Sequence, residues 1–156
     1  MKEYDWAATF LKENKQLLKP VFQLPLYHFC KGRLLYESGN LDDSMRNLAQ
    51  VDTKAGFLLL GTKVLQLKIY FEQEEYDSLT YLLDSLRVYL QRKKDLGYRK
   101  RNYEQVIYFF KKLIDIPYQS RAKKATSLKE LQAAEGFSEK ECILKTVDGL
   151  RRTAHG

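Results

Sequence analysis

The chain has 156 residues, 44% of them hydrophobic, and 27 lysines and arginines against 20 acids, for a formal net charge of +7. That length suits one domain or a short repeat array with a core of its own, and no segment approaches the ~18 consecutive apolar residues of a membrane span. The opening MKEYDWAATF has Glu3 and Asp5 where a signal peptide needs a basic start and an apolar run, and Cys30 and Cys142 stand far apart in helix-like segments. Both features predict a cytoplasmic protein whose cysteines are small buried apolar residues.

Helix signals recur along the chain, while sustained alternation with Asn-Gly or Asp-Gly turns is missing. A first helix is predicted from about residue 3 to Leu18, with Trp6, Phe10, Leu11, Leu17 and Leu18 inward and Pro20 as its stop. Pro25 suits the first turn of a second helix ending near Ser38. Gly39-Asn40 makes a break, and Asp42 and Asp43 fit the positive start of a third helix reaching about Val51. Residues 55–72 form a fourth helix that is apolar on most sides (Phe57, Leu58, Leu60, Val64, Leu65, Leu67, Ile69 and Phe71 among others), which predicts a central element.

The next stretch, 72-EQEEYDSLTYLLDSLRVYLQRKK-94, opens on acids and closes on bases. Tyr76, Leu79, Leu83, Leu86 and Leu90 recur at spacings of three and four, with Leu82 and Tyr89 widening the stripe, so a fifth helix with one buried face is predicted. Acids at its start and bases at its end complement the helix dipole, at about 0.3–1 kcal/mol per well-placed charge. Most of this charge therefore needs no ligand to explain it. Gly97 marks a break before a sixth helix, Tyr98 to Ile116, with Tyr103, Val106, Ile107, Phe110, Leu113 and Ile114 inward and Pro117 ending it. A weaker seventh helix is predicted near 120–134, and Ser138 with Glu141 makes a capping box for a last one near 139–151.

Sliding the chain by 35 positions aligns LLYESGNLDDSMRNLAQV (34–51) with IYFEQEEYDSLTYLLDSL (69–86). Glu37 meets Glu72, Leu41 meets Tyr76, Asp42 meets Asp77 and Leu48 meets Leu83. Here the sequence resembles the tetratricopeptide repeat family, whose unit is ~34 residues. Gly32, Leu35, Gly39, Leu41, Ser44 and Leu48 fall at that family's small, turn and packing positions in the first unit. Tyr70, Tyr76 and Leu83 do so in the second, where Leu67 and Leu79 replace small residues. The segment 67–103 also resembles the C-terminal, repeat-like part of uncharacterised proteins from Bacteroidetes bacteria. The resemblance implies an all-α fold, a right-handed stack of antiparallel helix hairpins with seven to eight helices. It would form a single domain over 1–156, with repeats at 26–55 and 58–90 and residues 98–151 as a cap.

Enzyme signatures are missing. The run 56-GFLLLGTK-63 approaches a phosphate loop, but Gly-Thr-Lys reverses the Gly-Lys-Ser/Thr order that puts lysine on the outer phosphates. His28 and His155 are the only histidines; no Cys/His cluster could hold zinc or iron. His28 and Cys30 point roughly 200° apart on a helix, which disfavours a nucleophile–base dyad. Adjacent acids such as Asp42 with Asp43 read as helix-start charges. No catalytic residue, metal ligand or cofactor is expected.

Two binding surfaces remain. In tetratricopeptide arrays the first helix of each pair lines a groove, and residue by residue this carries over to Phe29, Arg33, Tyr36 and Glu37, then Val64, Lys68, Phe71 and Glu72. Arg33 and Lys68 would hold an acidic peptide or carboxylate beside Tyr36 and Phe71. The asparagines of that family's clamp for C-terminal carboxylates are not evident, and the chain's own first helix could fill so short a groove. The second surface is basic: residues 87–124 hold 12 bases and 3 acids. Arg92, Lys93, Lys94, Arg99, Lys100, Arg101, Lys111 and Lys112 interleave there with tyrosines, which suits an acidic protein, a nucleic acid, or simply a solvated outer face. The expected function is a non-enzymatic protein-interaction or scaffold module, with nucleic-acid or other polyanion binding through 92–124 as the alternative.

Overall fold

A computed structural model describes residues 2–17, 19–52 and 56–115, together with Lys123, Thr126, Lys129 and Glu130. Among the described residues all regular structure is helical: six α-helices, one 3-10 turn and no strand. The helices are α1 (Lys2–Asn14), α2 (Pro20–Glu37), α3 (Leu41–Leu48), α4 (Gly56–Glu72), α5 (Tyr76–Arg92) and α6 (Tyr98–Asp115), with the 3-10 turn at Lys15–Leu17. They fall into two compact units, Met1–Gln73 and Glu74–Gly156. The helices expected near 120–134 and 139–151 lie outside the described residues, apart from the four named above.

The prolines act differently from their sequence reading. Pro20 does not merely stop the first helix; it opens α2 from the first turn, where its missing N–H costs nothing. Pro25 lies inside α2 rather than at its start and is buried. It removes one backbone bond near the helix start, and α2 continues for twelve residues beyond it, to Glu37. The first helix ends at Asn14, and the chain tightens into the 3-10 turn before Pro20.

Within the first unit, α2 and α3 form a hairpin closed by small residues. Gly32 is buried on α2, and a β-carbon there would lie 2.9 Å from the Leu48 side chain and 3.4 Å from the Ser44 carbonyl. Ser44 is itself fully buried and donates its hydroxyl to the Gly32 carbonyl at 2.6 Å. Leu48, 1% exposed, then meets Leu65 and Ile69 of α4, with Phe29, Tyr36, Leu41 and Met45 packed around them. A second glycine serves the α2–α4 seam: a β-carbon on Gly61 would stand 3.2 Å from the Phe29 ring. Close backbone approach at these two points is what lets an eight-residue helix share one core with two longer ones.

The link between α2 and α3 is a Schellman turn. Gly39 is left-handed at φ +82°, its N–H donates to the Tyr36 carbonyl, and the Asn40 N–H donates to that of Leu35. Asn40 then caps α3, its side-chain oxygen accepting from the Asp43 N–H. Part of this backbone recurs 35 residues on, without the two bonds that close the Schellman turn. Glu74 takes φ +59°, and Glu75 repeats the backbone of Asn40, with φ −80° and ψ 63° against φ −88° and ψ 78°. The Gln73 N–H donates to the Ile69 carbonyl as the Ser38 N–H does to that of Leu34. Left-handed geometry strains any residue with a β-carbon, so Glu74→Gly is expected to raise stability by about 0.5–1 kcal/mol and lift the thermal midpoint. A lowered midpoint would mean that the Glu74 side chain contributes more than its backbone costs.

In the second unit α5 buries Leu79, Leu82, Leu83, Leu86 and Leu90, and α6 buries Val106, Ile107, Phe109, Phe110 and Leu113. These follow the predicted stripes, with Phe109 added and Tyr89, Tyr103 and Ile114 only half-buried. Tyr76 departs from its stripe and is exposed, because it is the first residue of α5 and lies at the rim. Asp84 of α5 pairs with Lys111 of α6 at 2.9 Å. This bond holds the Asp84 carboxyl below its usual range.

The largest correction concerns α1. Trp6 (68% exposed), Phe10, Leu17 (82% exposed), Val21 and Leu24 were expected inward or left unassigned, and all are exposed. Trp6 and Phe10 stack on each other at 5.3 Å. Among the described residues α1 packs on α2 and the 3-10 turn, and one neighbouring helix covers only one seam of so wide a stripe. No helix among the described residues is long and apolar enough to cross a membrane.

Candidate binding surfaces

The groove residues of the first unit come from α2 and α4. Tyr36 donates its hydroxyl to Glu72 Oε1, and Lys68 Nζ stands 5.9 Å from the centre of the Tyr36 ring. Tyr36, Lys68 and Glu72 are thus drawn together into one cluster across two helices, with the cation over the ring face. Arg33 and Glu37 are exposed on α2, one helical turn apart on the same face, with Arg33 also three residues before Tyr36. Phe29 and Phe71 have other work. Phe29 packs over Gly61 and against the Leu48 core, and Phe71 is buried, as is Val64. What α2 and α4 present to solvent is therefore a polar surface on an apolar footing. Gln73 at the end of α4 donates to Asp42 at the start of α3, 2.8 Å away, fixing the edge of this surface.

The residues weighed for chemistry are tied up by packing or by local bonds, although the buried Thr62 hydroxyl has no hydrogen-bond partner among the described residues. His28 lies 3.3 Å from Asn47 Oδ1. Since the Asn47 amide nitrogen donates to the Asp43 carbonyl, its oxygen is the acceptor and the proton sits on His28 Nδ1. Burial pushes the Cys30 thiol up, with Arg33 opposing more weakly, which keeps it a poor nucleophile. The near phosphate-loop lies inside α4, where backbone N–H groups past the first turn are committed to the helix and cannot cradle a phosphate. Its Gly61 faces Phe29, Thr62 is buried, and Lys63 donates to Gln66 at 3.3 Å. Among the described residues no group of three or more His, Cys, Asp or Glu could hold a metal ion.

The basic residues, continuous in sequence, separate in space. Lys111 is held by Asp84, while Lys112 pairs with Glu130 and stands 4.7 Å over the Tyr108 ring. Both sit in the last turns of α6, a place that favours cations. Arg92, Lys93, Lys94, Arg99, Lys100 and Arg101 gather instead where α5 ends and α6 begins. About 18 Å of helix separates Arg99 from Lys111 at 1.5 Å per residue. The tyrosines divide likewise: Tyr98 is 80% exposed, Tyr103 is half-buried, and Tyr89 lies under Lys93 at 5.9 Å.

Periodicity missed one surface, the apolar strip of α1 and early α2. It borders a groove of about 270 Å³ lined by Phe10, Leu11, Leu17, Leu26 and Tyr27 among others. A hydrophobic stripe signals that a face is apolar, and says nothing about whether a neighbour arrives to cover it.

Comparison with protein-family models, with curated proteins and with solved structures gives no match to this chain.

Proposed function

We propose that the protein is a non-enzymatic, tetratricopeptide-like interaction module whose α2–α4 surface binds an acidic peptide segment of a partner protein. The observation that carries this reading is the Tyr36–Glu72–Lys68 cluster, built across two helices and flanked by exposed Arg33 and Glu37. Its side chains are held by one another and by a packed core, so little freedom remains to be lost when a ligand docks. The glycine-closed α2–α3 hairpin and the left-handed residue that recurs after 35 positions support the repeat architecture behind it. Arg33 supplies a fork for a carboxylate, Lys68 a second positive charge, and Tyr36 an aromatic wall; Glu37 sets polarity by rejecting acids at the other edge.

Selection of a displayed random-peptide library on the full chain is expected to enrich sequences with an acid beside an aromatic residue. Charge-assisted hydrogen bonds contribute about 1.5–3 kcal/mol each, so the Arg33→Glu, Lys68→Glu double variant should bind an enriched peptide at least about tenfold more weakly. Circular dichroism should find the variant's helicity and thermal midpoint close to the parent's. No enrichment, or peptides indifferent to the double variant, would overturn the reading.

A further inference from the structure

The α5–α6 end carries a charge arrangement that folding alone does not reward. Residues 92–101 hold six bases and one acid, Asp95. Among the described residues none of the six has an ion-pair partner, whereas Arg87, Lys111 and Lys112 each have one. Five of the six are exposed and Lys100 is half-buried. Arg92 and Lys93 stand at the C-terminal end of α5, which welcomes cations. Arg99, Lys100 and Arg101 stand in the first turn of α6, which has no acid and whose dipole opposes them. Beside them Tyr98 keeps 80% of its surface in water, so its ring serves no packing. Lys93 lies over the Tyr89 ring. Even so, crowded cations with no ion-pair partner among the described residues, around an exposed aromatic ring, make a surface short of one thing: a chain of negative charges with flat faces between them.

We propose that this turn is a single-stranded nucleic-acid site, in which the six bases neutralise successive phosphates and Tyr98 stacks on a base. A sheet of anionic lipid would satisfy the cations, yet it would reward an apolar wedge, and the turn offers only half-buried Leu96 and the amphipathic Tyr98. A single strand repeats a phosphate and a flat base at every unit, which matches six crowded cations around one ring; an acidic protein helix carries no such repeat.

The test is fluorescence anisotropy of the full chain with labelled oligouridylate and oligothymidylate of about 20 nucleotides, a length above the usual site sizes of single-strand binders. Binding is expected in about 50 mM salt and should weaken about 300-fold by about 200 mM, the fall that goes with roughly six phosphates neutralised on a single strand. Tyr98→Ala should lose about tenfold while leaving the salt slope unchanged, because it removes stacking and no charge. Arg99→Glu with Arg101→Glu should abolish binding while the thermal midpoint holds or rises, since acids belong at a helix start. A purely structural role for these arginines would lower the midpoint instead. Tighter binding to oligouridylate would identify RNA as the source, and equal binding would mean that the 2′-hydroxyl is not read; both support the site. No binding in low salt, Tyr98→Ala equal to the parent, or equal competition by phosphatidylserine vesicles would overturn it.

Discussion

Leu48→Ala is expected to cost about 3–4 kcal/mol of folding stability, in the middle of the range for such changes in packed cores. Leu48 is 1% exposed and sits where three helices meet, over Leu65 and Ile69 of α4 and against Gly32 of α2. Truncation forfeits the transfer energy of the leucine and leaves a void that these neighbours are badly placed to fill. The Ser44 hydroxyl and the Gly32 carbonyl hold the α2 and α3 backbones in place at 2.6 Å and resist collapse. Urea unfolding followed by circular dichroism measures the effect, with an unchanged slope as the mark of a pure stability loss. A cost under about 1 kcal/mol would mean that the hairpin relaxes freely and is not locked as described.

Gly32→Leu is expected to destabilise by about 2–3 kcal/mol, even though replacing a helical glycine gains about 1 kcal/mol of helix propensity. The reason is the 2.9 Å that a β-carbon alone would leave to Leu48, before any further atoms are added. The two substitutions should not add. With Leu48 cut back to alanine, the leucine at 32 finds room in the space vacated, and the interaction energy should be favourable by about 1–3 kcal/mol. Strict additivity in the double-mutant cycle would show that the two residues do not share the contact inferred for them.

How far the sequence could be read follows from what each signal measures. Spacing of apolar residues located α4, α5 and α6 closely, because each has a stripe or an all-round apolar surface matching its surroundings. Left-handed residues stand 35 positions apart, at Gly39 and Glu74, and only the one that is a glycine could be read as a turn from the sequence. Pro25 was misjudged because proline signals a local preference, and a helix can absorb one lost bond near its start. The outward turn of Trp6 and Leu17 was missed for a different reason: whether an apolar face is covered depends on a neighbour, and no residue in α1 encodes the neighbour's reach. The site residues divided on the same principle. Tyr36 and Glu72 sit 36 positions apart, and only folding brings their side chains together. The basic run looked like one surface because sequence has no length scale. A helix of 18 residues places its two ends about 27 Å apart, with ion-pair partners for Lys111 and Lys112 and, among the described residues, none for Arg99 or Arg101.

α3 spans eight residues, roughly two turns, well under the ~12–15 that let an isolated helix persist in water. It cannot therefore exist ahead of its surroundings or outlast them. Its cap at Asn40, its anchor at Ser44 and its plug at Leu48 form in one event with α2 and α4, or not at all. Cooperativity in this half of the molecule thus originates in its shortest element, whose brevity ties the fate of two longer helices together.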